Sequence, residues 1–438
     1  MTTFKIGNIS VYDDNIIDMN IIKNIIQVNN QEDAFYILDV ESIVRQYQKW
    51  CSAMPKVSPH YAIKCNPDQT VIEVLASLNS KFDCASKQEM QQLIQSGVSS
   101  DRIIYSHPAK PHSHIKYAKN IGVKTIMIDN TLEVLKLKEI YPDAKLVIRL
   151  SIDSGSYGRD MSKKFGCEIT TEIITLMNFI KKEKMFLQGF SFHLGSPCLD
   201  SNAFNRGIEI CKNLINTARD MGFDEVNLID IGGGIPGNDD NLFYKIAKAV
   251  NKALENLDPS IEVISEPGRY YVDSAFTLVT YIQSKRIIVD GEIMKKCYYI
   301  NDGIFGSFLD NFMAAPLRVP IPLCNNGGEL FKSKIWGPTC HPDDCVIDDI
   351  MIQDLSIGDW IVWQNMGSYT LCTASSFNGF PPPAVYPIIR KTGLKTLING
   401  INGVRKLKLI DNYGKEEILE KIKEKNPFIT HEILKLIE

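Results

Sequence analysis

Ionisable residues stand where short hydrophobic segments of this sequence end. Lys64 follows Tyr61-Ala62-Ile63, and His193 closes the segment Leu187–His193. A lysine withdrawn from water has a lowered pKa, so its free amine can form a Schiff base. A histidine in such a place can stack on an aromatic cofactor. Each also has an ordinary structural explanation, a solvent-directed lysine and a hydrogen-bonded, partly buried imidazole, so neither identifies a site alone.

A run of three glycines, Gly232-Gly233-Gly234, follows the hydrophobic segment Leu228–Ile231. Glycine-rich turns let backbone N–H groups approach a phosphate closely, although the spacing GGGIPG matches neither the P-loop nor the dinucleotide fingerprint. Glu266 and Arg269 add a carboxylate and a cation. The cation could hold the same phosphate, and the carboxylate could keep a pyridine nitrogen protonated. Together with Lys64 and His193, this set predicts pyridoxal 5′-phosphate as the cofactor.

Elements of alternating type must position these residues. Eight β-rich segments begin near residue 58: His60–Lys64, Lys81–Ala85, Arg102–Ser106, Lys124–Asp129, Lys145–Leu150, Leu187–His193, Asn227–Gly232 and Glu262–Glu266. Segments with helical spacing separate them, and Val40–Ala53 precedes them. Strict alternation predicts parallel strands joined by right-handed crossovers. Eight units in about 220 residues favour an α/β fold with a closed (β/α)8 barrel of the TIM type, with an open doubly wound sheet as the alternative.

In such a barrel the active site lies at the carboxyl ends of the strands. Further polar residues stand at the predicted ends, namely Asp83, Ser86, His107 and Arg149. Beyond residue 275 the pattern changes to strands and turns, which predicts a mostly β second domain. We therefore expect four regions: residues 1–37 joining the β domain, 38–275 forming the barrel, 276–400 forming the β domain, and 401–438 forming a helical tail.

Composition narrows the class of protein. The chain has 438 residues, 44% of them hydrophobic, and a net charge of −4, which excludes a disordered chain and gives no sign of nucleic-acid or polybasic membrane binding. No apolar run approaches the roughly 18 residues that span a bilayer, and Met1-Thr2-Thr3-Phe4-Lys5 leads into polar sequence. Eleven cysteines without a CxxC pair predict reduced thiols, no metal site and a cytoplasmic location.

Several short sequence motifs occur in this chain in a fixed order. The chain contains YAIKCN at 61–66, FDCASKQE at 82–89, SFHLGS at 191–196, DIGGGIPG at 230–237, SEPGRYYV at 265–272, YYINDGIFGSF at 298–308, WGPTC at 336–340 and NMGSYT…ASSFNGF at 365–380. On these words, from about residue 35 to 390, it resembles the eukaryotic ornithine decarboxylases, barrel-type pyridoxal-phosphate decarboxylases with the alanine-racemase-like fold. An amino-acid racemase on the same barrel is a further alternative, which the second-domain words disfavour.

The resemblance implies roles for individual residues. Lys64 would carry the cofactor, His193 would stack on its ring, and Glu266 would pair with its pyridine nitrogen. The phosphate would be held by Ser196, Gly233, Gly234, Arg269 and Tyr369. Asp83, Glu89 and Arg149 would belong to the polar surroundings of the cofactor.

The resemblance also implies a homodimer with shared active sites. Cys340 would come from the opposite subunit and return a proton to the substrate carbon after carbon dioxide leaves. Lys164 and Asp344 match a pair that bridges the two subunits in the family. A small buried hydrophobic side chain is the structural alternative for Cys340.

The match fails where the family binds the distal ammonium of ornithine with two aspartates. Here those positions hold Ala314, beside Met313, and His341, beside Cys340. Three hypotheses follow. In the first, Asp310 or Asp343 replaces the lost carboxylates in a decarboxylase that forms putrescine. In the second, the substrate is another amino acid, with an apolar, aromatic or anionic side chain, and in the third the chain is an inactive regulator like the antizyme inhibitors.

Overall fold

The chain divides into two compact units. The computed structural model describes residues 4–152, 164–290, 293–312, 318–324 and 327–409. The barrel unit comprises Arg45–Val272, and the β unit comprises Met1–Val44 together with Asp273–Glu438. The predicted domain boundaries at residues 38 and 275 lie close to this division.

Strands from the N-terminal segment pair within the β unit. The first elements are β1 (Phe4–Ile6), β2 (Ile9–Tyr12), α1 (Asp18–Asn29) and β3 (Phe35–Asp39), followed by α2 (Val40–Ala53), in which the division between units falls.

Eight strands of the barrel unit form a closed, parallel barrel within the described residues. They are β4 (Val57–Ala62), β5 (Lys81–Cys84), β6 (Ile103–Tyr105), β7 (Thr125–Ile128), β8 (Lys145–Leu150), β9 (Phe186–Phe192), β10 (Leu228–Asp230) and β11 (Glu262–Ser265). Strand β11 pairs in parallel with β4 and closes the ring. Such strands are covered on both faces, so they are apolar without alternation, as Leu146, Val147 and Ile148 of β8 illustrate by being buried together. The predicted (β/α)8 barrel is confirmed.

Helices follow the strands of the barrel. They are α3 (Gln69–Ser77), α4 (Lys87–Gln95), α5 (His112–Ile121), α6 (Thr131–Ile140), α7 (Ile173–Lys182), α8 (Ser201–Asp220), α9 (Asp240–Ala253) and the short α10 (Arg269–Val272). Side-chain caps start several of them: the Asp68 carboxylate accepts from the backbone of Thr70 and Val71 at the start of α3. Such caps satisfy backbone N–H groups that have no partner within the helix.

The β unit contains most of the remaining strands. They are β12 (Phe276–Asp290), β13 (Ile293–Ile300), β14 (Pro320–Pro322), β15 (Leu330–Trp336), β16 (Cys345–Gln353), β17 (Trp360–Trp363) and β18 (Ala384–Arg390), with helices α11 (Leu309–Phe312) and α12 (Lys391–Leu409). Among the described residues they join β1, β2 and β3 in a ten-stranded sheet. A mostly β second domain is therefore confirmed. The sequence pattern predicts strands here at Phe276–Tyr281, Arg286–Val289, Cys297–Ile300, Ser333–Trp336 and Trp360–Val362. It therefore misses β14, β16 and β18, and α12 begins ten residues before the predicted tail.

Helix α1 covers one part of this sheet. Its buried Ile21, Ile22 and Ile25 join Phe35 and Val279 in one hydrophobic core. No helix in the described part of the chain has the length and apolar character needed to cross a membrane.

A close approach of two barrel strands gives a test of this packing. Gly189 of β9 pairs with Leu228 of β10, and a Cβ atom at Gly189 would lie 2.0 Å from the Leu228 carbonyl oxygen. We expect Gly189→Ala to lower the free energy of unfolding by about 1–3 kcal/mol or more, because backbone must move to admit the methyl group. Urea denaturation measures this change.

Gly328→Ala is the matched control for that substitution. A Cβ atom at Gly328 meets nothing within 4 Å, and its backbone does not require glycine. We expect its unfolding midpoint to equal that of the wild type. Equal midpoints for both variants would contradict the close packing of β9 against β10.

Candidate active site

Lys64 lies just beyond the first barrel strand. The predicted strand end at Lys64 is wrong: β4 ends at Ala62, and Ile63–Cys65 form a turn of 3-10 helix. This turn brings the Lys64 Nζ atom to 2.8 Å from Oδ2 of Asp83, which is buried at the end of β5. The barrel therefore joins the amine to a neighbouring carboxylate, as adjacent parallel strand ends should.

Ser106 holds the other oxygen of the same carboxylate. Its hydroxyl group donates a hydrogen bond to Oδ1 of Asp83, and both residues are buried. Ser106 was not among the predicted site residues. Its position directly after β6 was the available signal, because the ends of adjacent strands converge in a barrel.

Glu89 begins helix α4 and faces the same network. Its Oε2 accepts hydrogen bonds from the N–H groups of Ala85 and Ser86, while the Ser86 hydroxyl accepts from the N–H of Glu89. This reciprocal pair is a capping box. Burial raises the pKa of the Glu89 carboxyl, and the negative charge of Asp83 raises it further. Glu89 thus anchors a helix end and also contributes charge near Lys64.

Two buried carboxyl groups, Asp230 at the end of β10 and Glu266 directly after β11, lie on the other side of β4 from Asp83. Asp230 accepts hydrogen bonds from the Ser191 hydroxyl at 2.8 Å and from the Gly232 N–H at 2.9 Å. Burial raises the pKa of Asp230 to about 6. Burial, followed by the charges of Asp230 and Asp83, raises the pKa of Glu266 well above its usual range. Asp230 was missed as a site residue, although an acid inside an apolar strand was a signal.

Cationic and aromatic groups complete this charge distribution. Burial lowers the pKa of the Arg149 guanidinium on β8, and the carboxylate of Glu266 opposes that change. Burial lowers the pKa of His193 to about 3, assisted by the positive charges of Arg149 and Lys64. The His193 ring is therefore neutral at physiological pH. Its Nδ1 accepts from the Gly195 N–H at 3.0 Å, which leaves the proton on Nε2.

The glycine turn packs too closely for any side chain. Gly232 and Gly234 have φ of +64° and +90°, and Cβ atoms there would lie 2.2 and 2.1 Å from carbonyl oxygens of Phe192 and Gly195. A Cβ atom at Gly233 would lie 2.6 Å from the Glu266 carbonyl oxygen. The turn therefore admits only glycine, the residue type whose backbone N–H groups can approach a phosphate closely.

Arg269 and Ser196 stand together in the barrel unit. The Arg269 Nε atom lies 3.3 Å from the Ser196 hydroxyl oxygen, and Arg269 is buried. A guanidinium beside a hydroxyl group offers charge-assisted hydrogen bonds to a phosphate.

These residues fit pyridoxal 5′-phosphate. The Glu266 Oε1 atom is buried and has no hydrogen-bond partner among the described residues, as expected of an acceptor for a pyridinium N–H. Lys64 supplies an amine for the aldehyde, and the glycine turn with Arg269 supplies donors for the phosphate. Within the described ranges, no cluster of three or more His, Cys, Asp or Glu side chains could hold a metal ion.

The β unit carries the remaining predicted residues. The Cys340 thiol is exposed, and its N–H donates to Oδ1 of Asn378 at 3.0 Å. The His341 ring packs edge-on against Phe305, with centroids 5.1 Å apart. Tyr369 has a φ of +53°. Met313 and Ala314 lie outside the described residues.

Lys164 and Asp344, the two residues predicted to bridge the subunits, differ in how far they are exposed. Lys164 is exposed, whereas Asp344 is buried. Asp344 already accepts hydrogen bonds from the N–H and hydroxyl groups of Thr339, at 2.9 and 2.6 Å, and from the Ile304 N–H at 2.7 Å. An ion pair with Lys164 would add to these contacts.

The two candidate replacement acids also differ. The Asp310 Oδ2 atom lies 3.7 Å from Nη2 of the buried Arg318, which is also 3.9 Å from Asp273 Oδ1. The Asp343 side chain is 69% exposed and lies 3.7 Å from Nδ1 of His341. Asp343 is therefore the carboxylate more available to a substrate cation.

The raised pKa of Asp230 predicts a pH dependence of stability. Between about pH 4 and 6 the folded protein keeps a proton on Asp230 that the unfolded chain releases, so this stabilisation is present below pH 4 and is lost as pH rises through about 6. We expect the free energy of unfolding of Asp230→Asn, relative to the wild type, to rise across this range and then level off. Urea denaturation of cofactor-free protein measures it. A difference that does not vary with pH would refute the protonated Asp230.

The amino-acid sequence is similar to those of known proteins. The family described as "Pyridoxal-dependent decarboxylase, pyridoxal binding domain" matches residues 40–273. Ornithine decarboxylase 2 of Drosophila melanogaster is 38% identical over 383 residues, which cover 86% of this chain and 96% of that protein. Antizyme inhibitor 2 of Xenopus laevis is 35% identical over 396 residues, which cover 86% of each.

A solved structure agrees with these sequence relationships. The arginine decarboxylase of Paramecium bursaria Chlorella virus superposes with a TM-score of 0.81 at 29% sequence identity, covering 84% of this chain and all of the viral protein. The agreement spans both the barrel and much of the β sheet, since the barrel alone is little more than half of the chain.

Proposed function

The chain belongs to the pyridoxal-dependent decarboxylase family, and we propose that it converts L-ornithine to putrescine by removing the α-carboxylate. Membership makes it a carboxy-lyase with pyridoxal 5′-phosphate as the cofactor. Ornithine is the leading substrate because the Drosophila relative carries that activity in its name. The observation that carries the proposal is the Lys64–Asp83 pair at the barrel mouth, together with the unpartnered Oε1 of Glu266.

The barrel residues divide the tasks of holding the cofactor. When bound, pyridoxal phosphate withdraws the electron pair that remains on the substrate carbon as carbon dioxide leaves. Lys64 would hold it covalently, and Glu266 would accept a hydrogen bond from its pyridine nitrogen. The neutral His193 ring would stack on it. Ser196, Gly233, Gly234 and Arg269 would contact its phosphate, and the resemblance gives Tyr369 the same role.

The charged neighbours keep the reacting groups in their working states. Asp83, fixed by Ser106 on one oxygen, orients the Lys64 amine through the other. Burial raises the pKa of Glu266 well above its usual range, and the positive charges of Lys64 and Arg149 oppose that change. Glu89 holds the start of α4 beside this network.

A second copy of the chain completes the site in this proposal. The exposed Cys340 thiol of one subunit protonates the substrate carbon in the other, and Lys164 with Asp344 bridges the subunits. The support is the exposure of Cys340 and the resemblance of its sequence word, WGPTC. An isolated monomer is then inactive. The free thiols of all eleven cysteines support the cytoplasm as the compartment.

Asp343 is the proposed acceptor for the distal ammonium group. A buried ammonium without a partner costs several kcal/mol, so a replacement for the two absent aspartates is required. Asp310 lies beside the buried Arg318, whereas Asp343 is exposed beside His341 and directly precedes Asp344. His341 itself cannot supply a negative charge.

Two other functions follow from the same substitutions. Without a replacement acid, Met313, Ala314 and His341 would suit an amino acid with an uncharged or anionic side chain. The antizyme-inhibitor relative, almost as similar as the enzymes, supports a second candidate, a regulator that lacks activity. Retention of Lys64, Glu266 and Cys340 favours the enzyme.

Carbon dioxide release separates these functions. We expect cofactor-loaded protein to prefer ornithine over lysine, arginine, diaminopimelate, phenylalanine, tyrosine, tryptophan, methionine and glutamate. Asp343→Asn should raise KM for ornithine at least tenfold with a smaller change in kcat, because it removes a charge that binds the substrate, while Asp310→Asn serves as the control. Preference for an uncharged or anionic amino acid would contradict ornithine and indicate another decarboxylase. If no amino acid released carbon dioxide and the protein bound no cofactor, the result would favour the regulator.

Mixing two inactive variants tests the shared site. Lys64→Ala should lose the visible absorbance of the covalently held cofactor, whereas Cys340→Ala should keep it. After subunit exchange, we expect about a quarter of wild-type activity, because half of the dimers are mixed and each has one intact site. Mass spectrometry of native dimers monitors the exchange. No recovery despite complete exchange would refute the shared site.

A further inference from the structure

Asp230 and Glu266 lie side by side inside the barrel unit. Asp230 is the last residue of β10, and Glu266 directly follows β11, the parallel neighbour of that strand. The pairing continues beyond the strand ends, because the Glu266 N–H donates to the Gly232 carbonyl at 2.8 Å. The Asp230 and Glu266 side chains are hydrogen-bonded to each other, and both residues are buried. Adjacent strand ends thus place two acids in direct contact away from water.

Contact between two carboxyl groups restricts the number of protons that they hold. Two carboxylates are both acceptors and repel each other in a buried site, so a hydrogen bond between them requires a proton on one of them. Two neutral groups would leave no negative charge to bind a cation. A single proton on the pair satisfies the contact and leaves one negative charge.

Neighbouring parts of the barrel hold the Asp230 carboxyl in one orientation. Its Oδ2 accepts from the Ser191 hydroxyl on β9 at 2.8 Å, and its Oδ1 accepts from the Gly232 N–H at 2.9 Å. The Gly232 carbonyl in turn accepts from the Ser265 hydroxyl on β11 at 2.6 Å. Asp230 is therefore fixed by two strands and the glycine turn, and from this position it contacts Glu266.

Charged groups on other elements act on the same pair. Burial raises the pKa of the Glu266 carboxyl, and the negative charges of Asp230 and Asp83 raise it further. The positive charges of Lys64, after β4, and Arg149, on β8, oppose this rise. These surroundings favour one negative charge on the pair over two, because a second charge would add to that of Asp83 in a site with little water.

We propose that Asp230 and Glu266 form an acid pair that holds one proton, with Asp230 as the positioning residue for Glu266. Contact with Asp230 engages one carboxyl oxygen of Glu266 and leaves the other for the ring nitrogen of pyridoxal phosphate. The pair then offers that nitrogen a single negative charge from a fixed direction. This inference rests on the proposed role of Glu266 and explains why β10 ends in a buried acid.

The binding of two cofactors by the full chain tests the positioning role. Pyridoxal 5′-phosphate has the ring nitrogen, whereas its deaza analogue has a C–H group in that place and cannot donate to Glu266. We expect Asp230→Ala to weaken the binding of pyridoxal phosphate about tenfold or more, because a hydrogen bond to a charged group loses its orientation. Binding of the deaza analogue should stay unchanged. Fluorescence titration of cofactor-free protein measures both dissociation constants, and equal losses for the two cofactors, or no loss, would overturn the role of Asp230.

Asp230→Asn is the conservative variant for this test. Its amide oxygen can still accept from Gly232 or Ser191, and its amide N–H can donate to Glu266, so the positioning contact remains. We expect its affinity for pyridoxal phosphate to stay within about threefold of the wild type. A loss of about tenfold or more in this variant would overturn the positioning contact even where Asp230→Ala does not fold.

The wild type and Glu266→Gln separate this inference from the proposed function. The proposed role of Glu266 predicts that the wild type binds pyridoxal phosphate more tightly than the deaza analogue, and that Glu266→Gln reduces this preference. Equal binding of both cofactors by the wild type would contradict the role of Glu266 itself. A preference that Asp230→Ala keeps in full would contradict only the acid pair.

Infrared spectroscopy of cofactor-free protein counts the protons on the pair without any ligand. A protonated carboxylic acid has a carbonyl stretch that is separate from the bands of a carboxylate. We expect the wild type minus the double variant Asp230→Asn/Glu266→Gln, at neutral pH, to show this band with the intensity of one carboxyl group. No band would mean two ionised groups, and the intensity of two groups would mean a neutral pair. Either result would overturn the proposal.

Discussion

Closure of the parallel barrel between β11 and β4 is the constraint on which the catalytic site depends. The closed ring brings the ends of the first and last barrel strands together, although two hundred residues separate them. Lys64 follows one of these strands and Glu266 the other. An open sheet would leave these residues at opposite edges. The hydrogen bond from the Ala62 N–H to the Pro267 carbonyl, at 3.1 Å, continues this closure beyond the strand ends.

Burial gives the charged groups in the barrel mouth their different states. Asp83 is paired with Lys64, whereas burial raises the pKa values of Asp230 and Glu266, and the charges of Asp230 and Asp83 raise that of Glu266 further. His193 is kept neutral by the same burial and by nearby cations. A single environment thus holds a paired amine, two carboxyl groups with raised pKa values and a neutral imidazole, because burial disfavours the charged form of each unpaired group.

The β unit combines a hydrophobic sheet with a polar interior near Tyr36. Its core residues Phe35, Ile37 and Val279 pack under helix α1, while Tyr36 faces the polar side of the same strand. Arg318 connects this interior with Asp310, at 3.7 Å, whereas Asp343 lies on the surface beside His341. Two acids that looked equivalent in the sequence therefore have different surroundings in the structure.

The sequence by itself determined the repeating strand and helix pattern, the glycine turn and the key residues Lys64, His193 and Glu266, because periodicity and short motifs are local properties. Tertiary structure alone decided that Ser106 binds Asp83, that Asp230 faces Glu266 and that Arg318 balances Asp310, since each pair joins separate elements. The tertiary structure also decided the position of β18, which pairs between β2 and β3 although more than 340 residues separate it from them in the sequence. The end of β4 at Ala62, two residues before the predicted end at Lys64, was also decided by tertiary structure. The 3-10 turn that follows it forms against neighbouring strands, which the local sequence does not specify.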